Sequence, residues 1–215
     1  MYDVIVLGAT FAASGIARQY KERCLVIERR AQAGYEFFGT LGFAVEETEI
    51  YNRFKSCHTL FCTELVSVQK NDNGFACITH GSQGFCTYYA KKVIDTRCSA
   101  GMSLSKTYNL LVESKEGPFF PNLHYEKAKG ENCYILYCPV PLPCGYAEAR
   151  AAAQDIIKQF SKTQRLILSA NEFDYHIKGD YPKTQDGILY LPSKLYKNPR
   201  LAFEAGLSIG EEAGK

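Results

Sequence analysis

The stretch GATFAASGIA, residues 8–17, follows the apolar run DVIVL at residues 3–7 and leads into a segment with helical spacing. A short, continuous apolar run of that kind is what a strand buried on both faces of a parallel sheet looks like. From Ala12 to about Arg23 the residues Ala13, Ile16, Ala17 and Tyr20 fall on one helical face. CLVIE, residues 24–28, is a second β-branched strand. Strand, tight turn, helix and strand in so few residues make half of a βαβ nucleotide-binding unit.

Each glycine of the dinucleotide fingerprint G-x-G-x-x-G has a physical task. The first allows the tight turn, the second lets a pyrophosphate approach the backbone, and the third lets helix and strand pack closely. Gly8 supplies the first, and Ala13 stands at the third, where alanine is tolerated. Thr10 replaces the second; its side chain crowds the approach, and its hydroxyl is a donor for a phosphate. The backbone amides of Thr10, Phe11 and Ala12, at the start of the helix, suit an anion whatever the side chains are. Glu28 ends the second strand at the distance along the chain expected for an acid that binds a ribose hydroxyl pair. An ordinary strand-to-helix turn with a surface carboxylate remains the alternative at this point.

Two cofactor families have loops similar to this one. GATFAASGIA resembles the GATGxxGxxxA loop of atypical short-chain dehydrogenases, one residue short, and such an enzyme uses NAD(P) with a catalytic Tyr-x-x-x-Lys. Tyr88 and Lys92 have that spacing, but the motif works on a helix, and CTYYAKKVIDT follows a turn and reads as a strand. The loop also fits G-x-x-x-x-[GA]-x-x-x-A, through Gly8, Ala13 and Ala17, as in flavoproteins.

The chain beyond residue 57 separates the two. HTLFCTELVSVQK reads as a strand, NDNG (71–74) as a turn, FACITH as a strand, GSQG (81–84) as a second turn, and FCTYYAKKVIDT as a third strand. Extended segments joined by short Asn/Asp/Gly turns form an antiparallel meander, whose last part is apolar enough to re-enter a buried parallel sheet. A Rossmann domain for NAD alone crosses between parallel strands through helices instead. A meander ending in Ala90, Lys91, Val93, Ile94, Asp95 and Thr96 resembles the glutathione-reductase-like, two-dinucleotide-binding-domain FAD oxidoreductases. Arg97 and Cys98 stand where that family has a glycine. The C-terminal KNPRLAFEAGLSIGEEA resembles the family's closing segment through Asn198, Pro199, Ala202, Gly206 and Gly210.

The resemblance implies FAD as cofactor, a small-molecule substrate and oxidoreductase activity. It implies cofactor contacts from Gly8, Thr10, Phe11, Ala12, Ala13 and Glu28, and from Arg29, Arg30, Gly34 and Tyr35 beside the adenosine and flavin. Leu65 and Val66 would flank the adenine, with Thr96, Arg97, Asn198 and Leu201 completing the set. No catalytic residue and no metal ligand set stands out. The flavin itself carries redox chemistry, so an enzyme needs no protein nucleophile. A non-catalytic flavin- or nucleotide-binding module, or a subunit of a larger redox complex, is the alternative from another class. No second G-x-G-x-x-G loop for NAD(P)H is present, so electrons would come from the substrate or a protein redox partner; a homo-oligomer is also compatible.

The expected fold class is α/β: a Rossmann-like parallel sheet with an antiparallel β-meander crossover and a small, mostly β substrate-type subdomain. The FAD-binding domain is expected over 1–97 plus 187–215, and the subdomain over 98–186. Within the latter, KTYNLLVE and NCYILYCPVP read as strands, 147–162 as the clearest helix, and RLILS as a buried strand. Phe119, Phe120, Tyr134, Tyr137 and Tyr146 are candidates to wall a flavin pocket, with core packing as the simpler reading. A helix starts near Asn198, where Pro199 suits the first turn.

Bulk composition agrees with a globular protein. Among 215 residues, 46% are hydrophobic and 22% charged, and 25 basic against 23 acidic residues leave a net charge of +2. Nucleic acid and anionic membranes are therefore not implied partners. No apolar run is long enough to span a bilayer, and the first strand carries no basic leader, so a cytoplasmic protein is expected. The nine cysteines include no C-x-x-C, and most lie in apolar runs. They read as buried thiols acting as small hydrophobes, with a redox or nucleophilic role as the alternative, rather than as a disulfide framework.

Overall fold

The computed structural model describes residues 1–41, 47–98, 100–117, 120 and 122–213. The chain divides into two compact units. The first holds Met1–Tyr35, Val45–Cys98 and Gly179–Lys215, and the second Glu36–Ala44 and Ser99–Lys178.

In the first unit, β1 (Tyr2–Leu7), α1 (Phe11–Tyr20) and β2 (Cys24–Ile27) form the expected βαβ half-unit. A short helix, α2 (Tyr35–Phe38), marks the passage to the second unit, and α3 (Glu47–Phe54) leads into β3 (His58–Leu60). The meander follows as β4 (Glu64–Asn71), β5 (Gly74–Gly81) and β6 (Gly84–Asp95). The single strand expected from HTLFCTELVSVQK is thus two. Cys62 adopts a left-handed φ of 51°, which ends one strand and redirects the chain into the next. β3 then lies parallel to β2, with Leu25 opposite His58, while β4 pairs only with β5.

β6 belongs to two neighbourhoods. Phe85 to Ala90 pair antiparallel with β5, and Ala90 to Asp95 pair parallel with β1. Ile5, Leu7, Leu25, Ile27 and Val93 from the parallel strands pack with Phe75, Cys77 and Ala90 of the meander in one buried cluster. On the opposite face Val4, Val6, Val26 and Ile94, none more than 1% exposed, complete the two-sided burial that the apolar runs require.

The second unit is an antiparallel sheet. It contains β7 (Ser103–Ser114), β8 (His124–Lys127), β9 (Cys133–Val140), the helix α4 (Tyr146–Ile157), β10 (Gln164–Ser169) and β11 (Asp174–Ile177). The strand order is β10-β7-β9-β8, with β11 also on β7. β10 is RLILS, expected to be buried; it is an edge strand instead, and Ile167 and Leu168 are 45% and 50% exposed. Tyr108, Leu110, Val112, Leu136 and Cys138 form the core with Ala149 and Ala153 of α4.

The chain returns to the first unit through β12 (Lys183–Gln185), β13 (Ile188–Tyr190) and α5 (Pro199–Ala213). β13 joins β6 in parallel, so the sheet runs β12-β13-β6-β1-β2-β3. α5 packs on α1 at very short range. A Cβ added to Gly206 would lie 1.9 Å from the Ala12 carbonyl oxygen, and one added to Gly15 would lie 2.3 Å from that of Phe203. The close approach that the fingerprint's third glycine normally provides is here a helix-to-helix contact. The expected α/β architecture, with its parallel sheet and meander crossover, is the one the chain forms.

Candidate functional site

The five parallel strands end at one edge of the sheet, at Leu7, Ile27, Leu60, Asp95 and Tyr190. The chain order reverses on either side of β1, which has β2 on one flank and β6 on the other. The crevice beyond the carboxyl ends at such a switch point is where open α/β sheets bind ligands.

Gly8 makes the turn after β1 with φ 90°, a left-handed value that glycine adopts without strain. Its amide donates to the Ile27 carbonyl at 2.8 Å, so the loop is tied to the end of β2. Thr10 caps α1: its hydroxyl accepts from the Ala13 amide at 3.1 Å and donates to the Thr96 hydroxyl at 2.8 Å. The Thr96 hydroxyl in turn donates to the Leu7 carbonyl at 2.9 Å. The Thr10 hydroxyl proton, expected to be free for a phosphate, is therefore committed within the protein. Phe11, Ala12 and Ala13 are buried, the first at 2% exposure.

Glu28 is buried at the end of β2, with its two carboxylate oxygens divided between two backbone amides. One accepts from Ala9 at 2.9 Å and the other from Arg30 at 2.8 Å. Each carboxylate oxygen has a second lone-pair site, so a hydroxyl pair remains a possible further donor. The Arg30 guanidinium sits 5.0 Å over the Tyr35 ring, while Arg29 is exposed. Gly34, φ 72°, donates from its amide to the Ala9 carbonyl at 2.8 Å, closing the loop from the other side.

Arg97 holds the position above the turn. A Cβ on Gly8 would meet Arg97 Cγ at 2.7 Å, closer than the Thr10 methyl at 3.3 Å, so the crowding expected from Thr10 comes chiefly from Arg97. The guanidinium grips Asp95 with Nε to Oδ1 at 2.9 Å and Nη2 to Oδ2 at 2.7 Å, a bidentate pair. Burial works against the Arg97 charge, but hydrogen bonding and attraction from Asp95 outweigh it, and its pKa is raised.

The remaining expected residues are less closely tied. The Glu28–Arg30 backbone is hydrogen-bonded to residues 60–63 rather than to Leu65 and Val66. Leu65 packs on the cluster beneath the sheet, and Val66 is 54% exposed. Asn198 caps α5 by accepting from the Leu201 amide at 2.9 Å, and Leu201 is 42% exposed. The residue that joins this segment to the loop is Ser193. Its amide donates to the Thr96 carbonyl at 3.0 Å, and its hydroxyl accepts from the Ala12 amide at 3.4 Å. Ser193 carries no sequence signature, since its partners Thr96 and Ala12 lie far along the chain, whereas Asp95 and Arg97 are only two residues apart.

Tyr88 and Lys92 both lie on β6, where residues four apart are separated by about 13 Å, so they do not form a helical catalytic pair. In the second unit, Tyr146 stacks on Phe173 at 4.4 Å and Phe120 meets Phe160 at 5.4 Å, as packing residues; Phe119 lies outside the described residues. A buried polar chain runs there that the sequence did not reveal. Thr107 donates to Asn109, and Asn109 donates to the Thr40 carbonyl at 2.8 Å and to Asp174 at 3.3 Å. Among the described residues there is no cluster suited to a metal ion, and no helix is long and apolar enough to cross a membrane.

No protein-family model and no curated protein matches this chain. Solved structures do. A geranylgeranyl bacteriochlorophyll reductase-like protein from Thermoplasma acidophilum superposes with a TM-score of 0.66 at 12% identity, over 99% of this chain and 77% of its own. For p-nitrophenol 4-monooxygenase from Pseudomonas putida DLL-E4 the TM-score is 0.62 at 9% identity, over 100% of this chain and 81% of its own. Aklavinone-11 hydroxylase, solved in a ternary complex with FAD and aklavinone, gives 0.61 at 11% identity, over 98% of this chain and 62% of its own. At these identities the likeness is one of fold. The chain has a Rossmann-type fold that it shares with these proteins, among them a hydroxylase solved with FAD.

Proposed function

We propose that this chain is a flavoprotein that binds FAD at the carboxyl edge of its parallel sheet and acts as an oxidoreductase on a small molecule. The observation that carries the reading is the Gly8 turn, with the capped start of α1 on one side and the buried Glu28 carboxylate on the other. That arrangement fits a dinucleotide: a helix N-terminus for the pyrophosphate and an acid for the ribose. The meander crossover and α5, in that order along the chain, support placement with the glutathione-reductase-like flavoproteins.

In this reading residues 8–13, Glu28, Arg30, Gly34 and Tyr35 hold the nucleotide half, with Arg29, Leu65 and Val66 at its rim. Thr96, Arg97, Asn198 and Leu201 lie toward the flavin half. The domains divide as 1–97 with 187–215 for FAD and 98–186 for substrate. When bound, FAD supplies the electron-accepting ring, and the protein's part is to bind and orient it. Nine free thiols accord with a cytoplasmic setting.

The test is a visible absorption spectrum of the purified protein, followed by titration of FAD and measurement of the loss of flavin fluorescence. Saturable quenching with flavin absorption is expected. A colourless protein that takes up no added FAD refutes the reading. One observation favours the alternative of a non-catalytic nucleotide-binding module or a subunit of a larger redox complex: the sequence holds no second G-x-G-x-x-G loop for NAD(P)H. Reduction of the bound flavin by a metabolite decides against that alternative.

A further inference from the structure

Cys24 opens β2, and Cys57 immediately precedes β3. The two strands are parallel with Leu25 opposite His58, Val26 opposite Thr59 and Ile27 opposite Leu60. Carried back by one residue, the same register sets Cys24 beside Cys57. Neighbouring strands run about 4.8 Å apart, and lateral neighbours in a parallel pair point to the same face. That spacing lies within the range of about 4.4–6.8 Å between Cα atoms that a disulfide accepts. We propose that Cys24 and Cys57 are a redox-active thiol pair that closes to a disulfide by exchange with a small-molecule disulfide.

The two cysteines differ in the way such a pair requires. Cys24 is fully buried and Cys57 is partly exposed. The Cys24 thiol, hydrogen-bonded to its neighbour, lowers the pKa of Cys57 to about 7 against an opposing burial effect, with help from the Thr59 hydroxyl at 3.5 Å. The same contact, together with burial, pushes Cys24 well up, so that it stays a thiol. The charged and titratable neighbours are Arg23, held in an ion pair by Asp3, and the buried Tyr20 beside Cys24, with Lys55, which is exposed, and His58, whose ring is engaged by the Tyr2 hydroxyl at 2.9 Å, beside Cys57. By contrast, burial holds the isolated Cys77 and Cys138 up at about 11 and about 12.

The exchange runs in two steps. The Cys57 thiolate attacks one sulfur of the external disulfide, forming a mixed disulfide and releasing one thiolate. The Cys24 thiol then gives its proton to the departing sulfur and attacks the Cys57 sulfur, which breaks the mixed bond and releases the second half as a thiol. The protein, starting as one thiolate and one thiol, loses two electrons and one proton, and the external disulfide becomes one thiolate and one thiol. The pair lies at the amino ends of β2 and β3, a strand length of about 13 Å from Glu28. The exchange is therefore independent of any cofactor at the opposite edge.

The experiment incubates the whole purified chain with oxidised glutathione, unfolds it in denaturant, blocks the remaining thiols by alkylation, and maps the tryptic peptides. Peptide 24–29 is expected to be joined to peptide 56–70, with fragmentation assigning the bond to Cys57 rather than Cys62. Cys24→Ala is expected to stop at the mixed disulfide, so that peptide 56–70 carries one glutathionyl group on Cys57. Alkylation of Cys57 in the reduced protein is expected to follow a pH midpoint near 7, moving toward the ordinary thiol value of about 8.5 in Cys24→Ala. The proposal is overturned if Cys24 remains alkylatable after oxidation while other cysteines carry glutathione. It is overturned equally if the wild-type Cys57 midpoint is that of an ordinary thiol. The wild-type map and midpoint decide the matter even if Cys24→Ala does not fold.

Discussion

Replacing Gly206 by alanine should destabilise the first unit, although alanine is the better helix former. The added Cβ would stand 1.9 Å from the Ala12 carbonyl oxygen, 2.8 Å from its carbonyl carbon and 3.1 Å from its Cα, all of them backbone atoms that no rotamer can move. A carbon–oxygen approach of about 3.3 Å is the practical minimum, so α5 must retreat from α1 by about 1.4 Å. A gap of that order forfeits much of the dispersion attraction across a contact that includes the buried Ala12, Ile16 and Ala202. Overpacking costs about 1–3 kcal/mol, and a rigid backbone obstacle belongs at the upper end. The gain in helix propensity returns about 1 kcal/mol. The net loss is then about 2 kcal/mol, a fall in Tm of about 4–8 °C for a chain of this size. Thermal and urea unfolding followed by circular dichroism measures it. Gly210→Ala in the same helix is the comparison, because its Cβ would meet Gln19 Cγ at 2.8 Å and Gln19 Cβ at 3.0 Å, with the nearest backbone atom, Ile16 Cα, at 3.6 Å. That variant should lose less stability than Gly206→Ala. If Gly206→Ala unfolds at or above the wild-type midpoint, the close packing of α1 on α5 is not as described.

Further predictions concern the candidate site and the thiols. Arg97→Gly uncovers the Gly8 turn and removes a bidentate, partly exposed ion pair whose rupture would otherwise oppose binding by about 1 kcal/mol. FAD affinity, read by fluorescence quenching, should rise about five-fold; weaker binding would mean that Arg97 contacts the cofactor instead. Glu28→Gln turns a donor toward the Ala9 or Arg30 amide, and should cost about 1–3 kcal/mol in urea unfolding. Thr10→Ala loses the α1 cap and should cost about 1–2 kcal/mol by the same assay. At pH 8, well below the raised pKa values of Cys77 and Cys138, both should resist iodoacetamide in the native protein while the exposed Cys62 reacts; mass spectrometry of the peptides reads the difference.

What could be read from the sequence was what short-range pattern encodes. DVIVL, the helical face of Ala13, Ile16 and Ala17, and the Asn/Gly turns of the meander all appear where periodicity and turn chemistry put them. What escaped depends on partners elsewhere. The break within HTLFCTELVSVQK requires a left-handed Cys62, held where its amide donates to the Arg30 carbonyl at 3.0 Å. β8 and β11 have four residues each, too few for alternation to be informative, and they exist because a longer strand is there to pair with. RLILS is apolar enough for a core yet ends at a sheet edge, because composition does not reveal how many neighbours a strand has. In the site, the tight turn and the acid after β2 were legible from their spacing. The commitment of the Thr10 proton to Thr96, and the cover that Arg97 lays over Gly8, were not.

The double membership of β6 sets how freely this region can drift over generations. Ala90 faces Phe75 in the meander and Tyr2 in the parallel sheet, so one unbroken strand measures the distance from the hairpin tips to Asp95 and Thr96. Deleting one residue within 85–94 would turn Asp95 and Thr96 to opposite faces of the sheet and dismantle the loop they hold. Residues 72–73 and 82–83, outside the paired ladders, carry no such constraint. Descendants of this chain should vary in length at those two tips and keep β6 unchanged in length, and a reporter peptide grafted there should leave the edge around Gly8 undisturbed.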